Sequence, residues 1–269
     1  MLKVTTVQMD VRLGEPAANL KTILEYTASV DSDLVVFPEC ANSGYCFDDK
    51  EEAISFADTI PGVFTERLAE AAGQTGRWIA VGLLERNETD LYNTVVLVGP
   101  GGQLHTRRKS HLPFIGVDRF VLPGDEILPI VTPFGVIGIV ICYEWRFPEM
   151  ARSLCLQGAD VLLGLSNWPG GARAIPEQLI AARAVENHVW IVSSNRVGTE
   201  RGVDFIGMSA IVDPTGKIVA QALNGVCTLE AEFDPSASRT KKIVRNPGEY
   251  EIDLFLDRRP SMYGSLVKE

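Results

Sequence analysis

The sequence has few of the residues that build disulfide frameworks and zinc sites. Its 269 residues include five cysteines, an odd number, and no two of them have the Cys-x-x-Cys spacing. This pattern predicts neither a disulfide framework nor a zinc knuckle, and it favours a reducing compartment. The three histidines lack the spacing of a metal-binding helix, and none lies in a segment typical of the partner of a catalytic cysteine: His105, His111 and His188. No metal site is therefore predicted.

Positive charge and long apolar runs are also scarce. The formal net charge is −10, which leaves no basic surface of the kind that binds a nucleic-acid backbone. The longest apolar run, near residues 136–142, is far too short to span a bilayer, and the N-terminal segment lacks the apolar stretch of a signal peptide. Neither a phosphate-binding glycine-rich loop nor a dinucleotide fingerprint occurs. We expect a cytoplasmic protein without a cofactor and without nucleic acid or membrane as a partner.

Short β-branched runs alternate with helical patterns along the whole chain, and no linker marks a domain boundary. A single α/β domain spanning residues 1–269 is therefore predicted. In the first half the patterns predict a helix carrying Leu20, Ile23 and Leu24, a strand (34–37), a helix (64–72), a strand (78–83) and a hairpin (92–98 with 103–107). The second half repeats this order with a helix (148–156), a strand (161–165), a helix (176–187), a strand (189–193) and a hairpin (206–212 with 218–222).

The two similar halves indicate how the sheets are covered. Strands that are apolar on both faces, and helices with one apolar stripe, are all buried if two sheets stack between outer layers of helices. We therefore predict a four-layer αββα sandwich with two pseudo-symmetric halves. A doubly wound single sheet satisfies the same order of elements, so the pattern alone leaves both architectures open.

Cys142 is the first candidate for chemistry. An apolar strand over residues 135–141 ends at this thiol, and Pro148 and Glu149 begin a helix shortly afterwards. A thiol at such a corner lies at the carboxyl edge of the sheet, where α/β proteins bind ligands, and the next backbone N–H can point at a developing oxyanion. The alternative is a buried, unreactive cysteine that packs as a small apolar side chain.

Two charged segments follow other predicted strands. Glu39 comes just after the strand 34–37, and a carboxylate beside apolar walls has a raised pKa that suits a general base. The alternative is a solvated loop glutamate. Three consecutive cations, the last of them Lys109, follow the first hairpin, and a fixed cation near a thiol activates it and stabilises an oxyanion. Spacing alone does not say which of the three points inward.

Together these segments resemble the signature of the carbon-nitrogen hydrolase (nitrilase) superfamily. The matching segments are Phe37-Pro38-Glu39 with Ser43-Gly44-Tyr45, then Arg108-Lys109-Ser110-His111-Leu112, and finally Cys142-Tyr143-Glu144 with Arg146-Phe147-Pro148-Glu149. Further similar residues stand at 158–160, 167–169, 183–187 and 213–216. The resemblance covers residues 3 to at least 235, which is nearly the whole chain.

The resemblance implies a role for each matching residue. Cys142 attacks the carbon of a small carboxamide or carbamoyl amine after Glu39 removes the thiol proton, and Lys109 with the Tyr143 N–H holds the oxyanion. It also implies the αββα fold, a homodimer or larger homo-oligomer, and oligomer contacts through a C-terminal tail at 236–269. Two alternatives stay open: a nitrilase that hydrolyses a C≡N group with the same triad, and a non-catalytic binding member of the fold.

Two positions depart from the family pattern. Many members carry a second glutamate after the lysine, whereas the nearby acid here is Asp118, a candidate to orient Lys109 or the substrate. Amidase-type members often have aspartate after the Cys-Tyr pair, whereas Glu144 stands here. Glutamate is commoner there in nitrilases, but these usually pair it with tryptophan rather than Tyr143. The amidase interpretation is therefore kept ahead of the nitrilase one.

The small-molecule substrate is expected to meet several side chains at the strand ends. The predicted substrate-binding residues are Tyr45, Asp118, Glu144, Asn167 and Trp168. Phe114 and Trp145 are further pocket candidates, although core or oligomer packing explains them equally well. An anionic substrate needs a local cation, for which the candidates are Arg119, Arg146 and Arg173.

Overall fold

The computed structural model describes residues 1–268, with five α-helices and two six-stranded β-sheets. The helices are α1 (Pro16–Ser29), α2 (Lys50–Ser55), α3 (Val63–Thr75), α4 (Pro148–Leu156) and α5 (Ile180–Asn187). The strands are β1 (Leu2–Gln8), β2 (Leu34–Val36), β3 (Trp78–Asn87), β4 (Asp90–Val98), β5 (Leu104–Arg108), β6 (Ile130–Thr132), β7 (Gly135–Ile141), β8 (Val161–Ser166), β9 (Trp190–Asn195), β10 (Val197–Glu200), β11 (Val203–Ile206), β12 (Ala210–Val212), β13 (Ile218–Gln221), β14 (Cys227–Phe233), β15 (Lys242–Asn246) and β16 (Tyr250–Asp253). Within residues 1–268, no helix has the length and apolar character needed to cross a membrane.

The first sheet has the order β14-β1-β2-β3-β4-β5, and β1, β2 and β3 run parallel. Successive side chains alternate between its faces. Leu34, Val36 and Ala80 pack in the core that the two sheets share, whereas Val35 and Ile79 pack with side chains of α1 and α3. Because both faces are covered, β2 and residues 78–84 of β3 are apolar at every position, as the sequence pattern suggested.

The second sheet repeats the first. Its order is β13-β12-β9-β8-β7-β6, with β7, β8 and β9 parallel and antiparallel strands on either side. Buried hydrogen bonds join the sheets, since Thr6 Oγ1 donates to Ser193 O (3.2 Å) and Ser194 Oγ donates to Val7 O (2.8 Å). Helices α4 and α5 pack on the second sheet. The predicted αββα sandwich with two pseudo-symmetric halves is confirmed.

The predicted strand 206–212 is wrong. Ile206 ends β11, which pairs with β10 in a separate two-stranded sheet, and β12 begins only at Ala210. Between them, Gly207 and Met208 have φ angles of 63° and 64°, so the chain turns there and cannot stay extended. The apolar pattern continues through this turn, and for that reason it resembles one strand. The resulting β10–β11 hairpin lies beside the candidate site.

Candidate active site

Glu39, Lys109 and Cys142 follow three different strands, namely β2, β5 and β7. All three are buried, with exposed fractions of 0%, 0% and 5%. Lys109 Nζ lies 2.7 Å from Glu39 Oε1. The Cys142 thiol is close enough to both that Glu39 raises its pKa and Lys109 lowers it. The structure thus brings the three predicted residues together and shows that, of the three consecutive cations, Lys109 is the one bonded to Glu39.

Asp118 and Asn93 complete a buried network around Lys109. Asp118 lies on a short helix, Gly116–Arg119, and accepts hydrogen bonds from Lys109 Nζ (2.5 Å), the Tyr45 hydroxyl (2.7 Å) and Asn93 Nδ2 (2.9 Å). Asn93 Nδ2 also donates to Glu39 Oε1 (2.7 Å). Sequence reasoning missed Asn93. Its signal is an amide inside a mostly apolar strand, where a buried polar group needs a partner.

Glu39 has one occupied oxygen and one free oxygen. Oε1 accepts from Lys109 and Asn93, whereas Oε2 is buried and has no hydrogen-bond partner among residues 1–268. Burial raises the pKa of Glu39 above the ordinary value, although Lys109 acts in the opposite direction. A carboxylate with a raised pKa and a free oxygen is suited to accept a proton.

Cys142 stands at a strained corner between β7 and α4. Its φ angle is 48°, a left-handed conformation that is unfavourable for a side chain with a Cβ and is found preferentially at functional sites. Burial, with a further contribution from Glu39, holds the pKa of this thiol well above its ordinary value, while Lys109 and a hydrogen bond from the Asn167 backbone act in the opposite direction. The resting thiol therefore keeps its proton and needs a base to become a nucleophile.

Tyr143 follows in the first turn of a short helix, Cys142–Arg146. The first N–H groups of a helix have no partner within the helix, so the Tyr143 N–H is available for an anion beside the thiol. The Tyr143 ring packs edge-to-face against Phe147, with ring centroids 5.2 Å apart. The backbone of Tyr143, rather than its ring, is thus the group beside the candidate nucleophile.

Glu144 ties the lysine segment to the cysteine segment. Its carboxylate, which is fully buried, accepts two hydrogen bonds from Arg107 (2.6 and 2.8 Å), one from the Ser110 N–H (2.8 Å) and one from the Ile141 N–H (2.8 Å). Burial is the largest single effect and disfavours its charge, but Arg107, His111 and the Ile141 N–H together outweigh burial and lower the pKa of Glu144 to about 2. Both carboxylate oxygens are therefore engaged by the protein itself.

Asn167 and Trp168 follow β8, at the same end of the second sheet as Cys142. Both are buried, and within residues 1–268 the Asn167 side-chain amide and the Trp168 indole N–H have no hydrogen-bond partner. Their backbones are fixed, since the Trp168 N–H donates to Asn195 Oδ1 (2.8 Å). Buried polar groups are normally paired, so these two can bind the polar atoms of a ligand.

The other pocket candidates lie elsewhere. Trp145 is buried against Gly164, where a Cβ would come within 2.8 Å of the indole, and it belongs to the core. Phe114 is 87% exposed. Arg119 donates to the backbone carbonyls of Gly116 and Phe47, Arg173 pairs with Glu177, and Arg146 is exposed. None of these contacts places a cation at the thiol.

The fold and this cluster define a class of protein. The family model for carbon-nitrogen hydrolase matches residues 3–242, and the chain belongs to that family, whose members include nitrilases and amidases. It is 37% identical to a nitrilase of Pyrococcus abyssi, over 98% of this chain and 99% of that protein, and 33% identical to an omega-amidase of Xenopus tropicalis, over 79% and 80%.

A solved relative has the same fold. The chain is similar, with a TM-score of 0.82 and 21% identity, to a glutamate-to-glutamine mutant of the amidase from Nesterenkonia sp. AN1, and the match covers 99% of this chain and 100% of that one. In that protein, acrylamide is bound to the active-site cysteine by Michael addition.

Proposed function

We propose that this protein hydrolyses the C–N bond of a small carboxamide or carbamoyl amine, with Cys142 as nucleophile, Glu39 as general base and Lys109 as stabiliser of the oxyanion. The observation that carries the proposal is the arrangement of Glu39, which is bonded to Lys109 through one oxygen and leaves the other free beside the buried thiol.

The reaction then proceeds in two halves. Glu39 takes the thiol proton as Cys142 sulfur attacks the carbonyl carbon, and the oxyanion is held by Lys109 Nζ and the Tyr143 N–H. When the C–N bond breaks, Glu39 returns the proton to the departing ammonia or amine, and a thioester remains. Glu39 next deprotonates a water molecule that attacks the thioester carbon. The carboxylic acid leaves and the sulfur recovers its proton.

The residues expected to bind substrate divide into two groups. Asn167 and Trp168 have free polar atoms, so we assign them the substrate contacts. Tyr45, Asp118 and Glu144 have their polar atoms engaged in the protein, and their hydrogen bonds favour a supporting role. Asp118 accepts a second hydrogen bond from Lys109 Nζ, besides the one to Glu39, which keeps the ammonium charged and fixed.

Nitrile hydrolysis is the second candidate function. The observation in its favour is the 37% identity to a protein named nitrilase. The same triad would add the thiol across a C≡N group, and Lys109 would then stabilise nitrogen instead of oxygen. The engaged carboxylate of Glu144 does not discriminate between the two, because it faces Arg107 and backbone N–H groups instead of the ligand.

Turnover of a compound panel tests the proposal. Wild type and Cys142→Ala are incubated with small carboxamides, carbamoyl amines and nitriles, while ammonia release and the mass of the intact protein are followed. We expect ammonia from the amides or carbamoyl amines and a transient acyl adduct in wild type, both absent in the variant. Turnover of nitriles alone selects the nitrilase, and neither turnover nor adduct across the panel indicates a binding protein.

We also propose that the protein works as a cytoplasmic homodimer or larger homo-oligomer with contacts through the C-terminal tail. The support is the exposure of apolar side chains there, since Leu256, Met262 and Leu266 are 83%, 64% and 62% exposed. Exposed apolar patches of this kind are typical of protein–protein contacts.

A further inference from the structure

Glu200 is a buried carboxylate that none of the three motif segments contains. It ends β10, and its Oε1 accepts from the guanidinium of Arg196, which is itself fully buried. Arg196 also donates to Val11 O and lies over the Phe205 ring, 4.3 Å from its centroid. The carboxylate is therefore held in place by the β10–β11 hairpin to which it belongs.

The second oxygen of Glu200 reaches the segment that follows Glu39. Oε2 accepts hydrogen bonds from the backbone N–H groups of Tyr45 (2.9 Å) and Cys46 (2.8 Å). Gly44 permits this approach, since its φ angle is 87° and a Cβ there would come within 2.7 Å of the Glu200 carboxylate. A hairpin of the second half thus fixes a loop of the first half.

Tyr45 connects the loop that Glu200 holds to Asp118. Its carbonyl accepts from the Val117 N–H (2.8 Å) and its hydroxyl donates to Asp118 (2.7 Å). Its ring lies against Gly116, where a Cβ would come within 2.1 Å of a ring carbon. Tyr45 is thus bound both to the backbone of the short helix that carries Asp118 and to the Asp118 carboxylate.

We propose that Glu200 is a positioning residue for the catalytic lysine: through Tyr45 it fixes Asp118, and through Asp118 it fixes Lys109. The links are consecutive hydrogen bonds of 2.9, 2.7 and 2.5 Å. Displacement of a catalytic group by about 1 Å can cost about 100-fold in rate, so the constraint is relevant to catalysis. This role rests on the proposed function, because Glu200 acts only through the oxyanion-stabilising Lys109.

A double-mutant cycle on the whole protein tests the role without a known substrate. The probe is iodoacetamide, and the rate of Cys142 alkylation is measured by peptide mass spectrometry in wild type, Glu200→Gln, Asp118→Asn and the double variant. Each single change releases Lys109, which lowers the pKa of the Cys142 thiol by more than Asp118 raises it, so each is expected to slow alkylation about tenfold. The double variant should be about as slow as the slower single one, because residues in one network are not additive. Tyr45→Phe is a milder variant that removes only the hydroxyl, and it serves if Glu200→Gln does not fold.

The pH dependence of the Cys142 alkylation rate distinguishes a positioning role of Glu200 from a general loss of protein stability. Asp118 contributes to the raised pKa of Glu39, after the larger effect of burial, so Asp118→Asn should move the midpoint of the rate profile to lower pH. Glu200→Gln keeps the Asp118 charge but releases Asp118 from its position, so it should move the midpoint in the same direction by a smaller amount. The matched control is Asp160→Asn, a buried carboxylate bonded to Arg239 and the Val136 N–H at the opposite end of β7. That control should leave both rate and midpoint unchanged.

Each outcome has one meaning. The role of Glu200 is overturned if the two reductions in alkylation rate multiply in the double variant. It is also overturned if the midpoint of the pH profile does not move in Glu200→Gln and Tyr45→Phe. In both cases the proposed function stands. If wild-type Cys142 is alkylated no faster than the half-buried Cys46 and Cys227, the proposed function itself fails. Fast wild-type alkylation, non-additive variants and a shifted midpoint together support the positioning role.

Discussion

At the scale of single residues, the pKa of Glu39 sets the pH at which the site works. Burial raises this pKa and Lys109 only partly opposes the effect, so it lies above the ordinary value of 4.5. A general base acts only when unprotonated. We therefore expect kcat/KM for an amide substrate to fall as the pH drops through this raised pKa, above the range of an exposed glutamate. Steady-state rates measured across pH will show whether kcat/KM falls in this way. Full activity down to pH 4.5 would contradict the expectation.

The motif residues and the partner Asp118 were named as candidates from the sequence, whereas two other partners were not. Glu39 and Cys142 each follow a strand that the apolar pattern indicates, which made them candidates. Lys109 follows the predicted hairpin, and only the family resemblance selected it from three consecutive cations. Asn93 and Glu200 were missed, because periodicity says that a side chain points inward but not which distant polar group it meets.

At the scale of elements, Glu144 joins the end of β5 to the end of β7 through Arg107 and two backbone N–H groups. Removing one partner of a buried ion pair costs about 3–5 kcal/mol. We therefore expect Glu144→Gln to lower the free energy of unfolding by an amount of this order at neutral pH, as measured by urea unfolding. Glu149→Gln, at an exposed position of α4, is the control and should change stability little.

The loss of unfolding free energy in Glu144→Gln should depend on pH, because the pKa of Glu144 is lowered to about 2 from an ordinary 4.5. A carboxylate with a lower pKa in the folded state stabilises the fold above pH 4.5, and the contribution disappears as the pH falls towards 2. The difference between wild type and Glu144→Gln should therefore be full at neutral pH and shrink below pH 4.5. A difference that stays constant or grows in acid would show that the charge of Glu144 does not stabilise the fold.

The turn at Gly207 and Met208 explains the one wrong strand. A non-glycine residue such as Met208 rarely has positive φ, and nothing in its side chain marks it for that conformation. The turn frees the preceding residues to form the β10–β11 hairpin, which contacts Trp168 through the Ile206 N–H and Tyr45 through Glu200. Local sequence patterns could not predict a hairpin whose shape depends on such tertiary contacts.

At the scale of the whole molecule, the candidate site exists only where the two halves meet. The first half supplies Glu39 and Lys109, and the second supplies Cys142 and Asn167, each from the end of a strand. The buried contacts of Glu144 and Glu200 both cross between the halves. Stacking of the two sheets is therefore what assembles the chemistry, and neither half contains the triad by itself.

Exposed apolar side chains of the C-terminal tail (236–269) allow a test of the proposed homo-oligomer. Leu266 lies beside Arg152 of α4, and Phe255, the neighbour of Leu256 in sequence, packs near Arg152 and Lys241. Burying apolar side chains such as Leu256 and Leu266 contributes about 1.5–3 kcal/mol each. We expect light scattering to give a mass of at least twice the 29.4 kDa of one chain, and Leu256→Asp with Leu266→Asp to shift it towards the monomer. Leu223→Asp, which is 76% exposed outside the tail, is the matched control. A wild-type monomer, or equal dissociation by the control, would mean that the tail is not the interface.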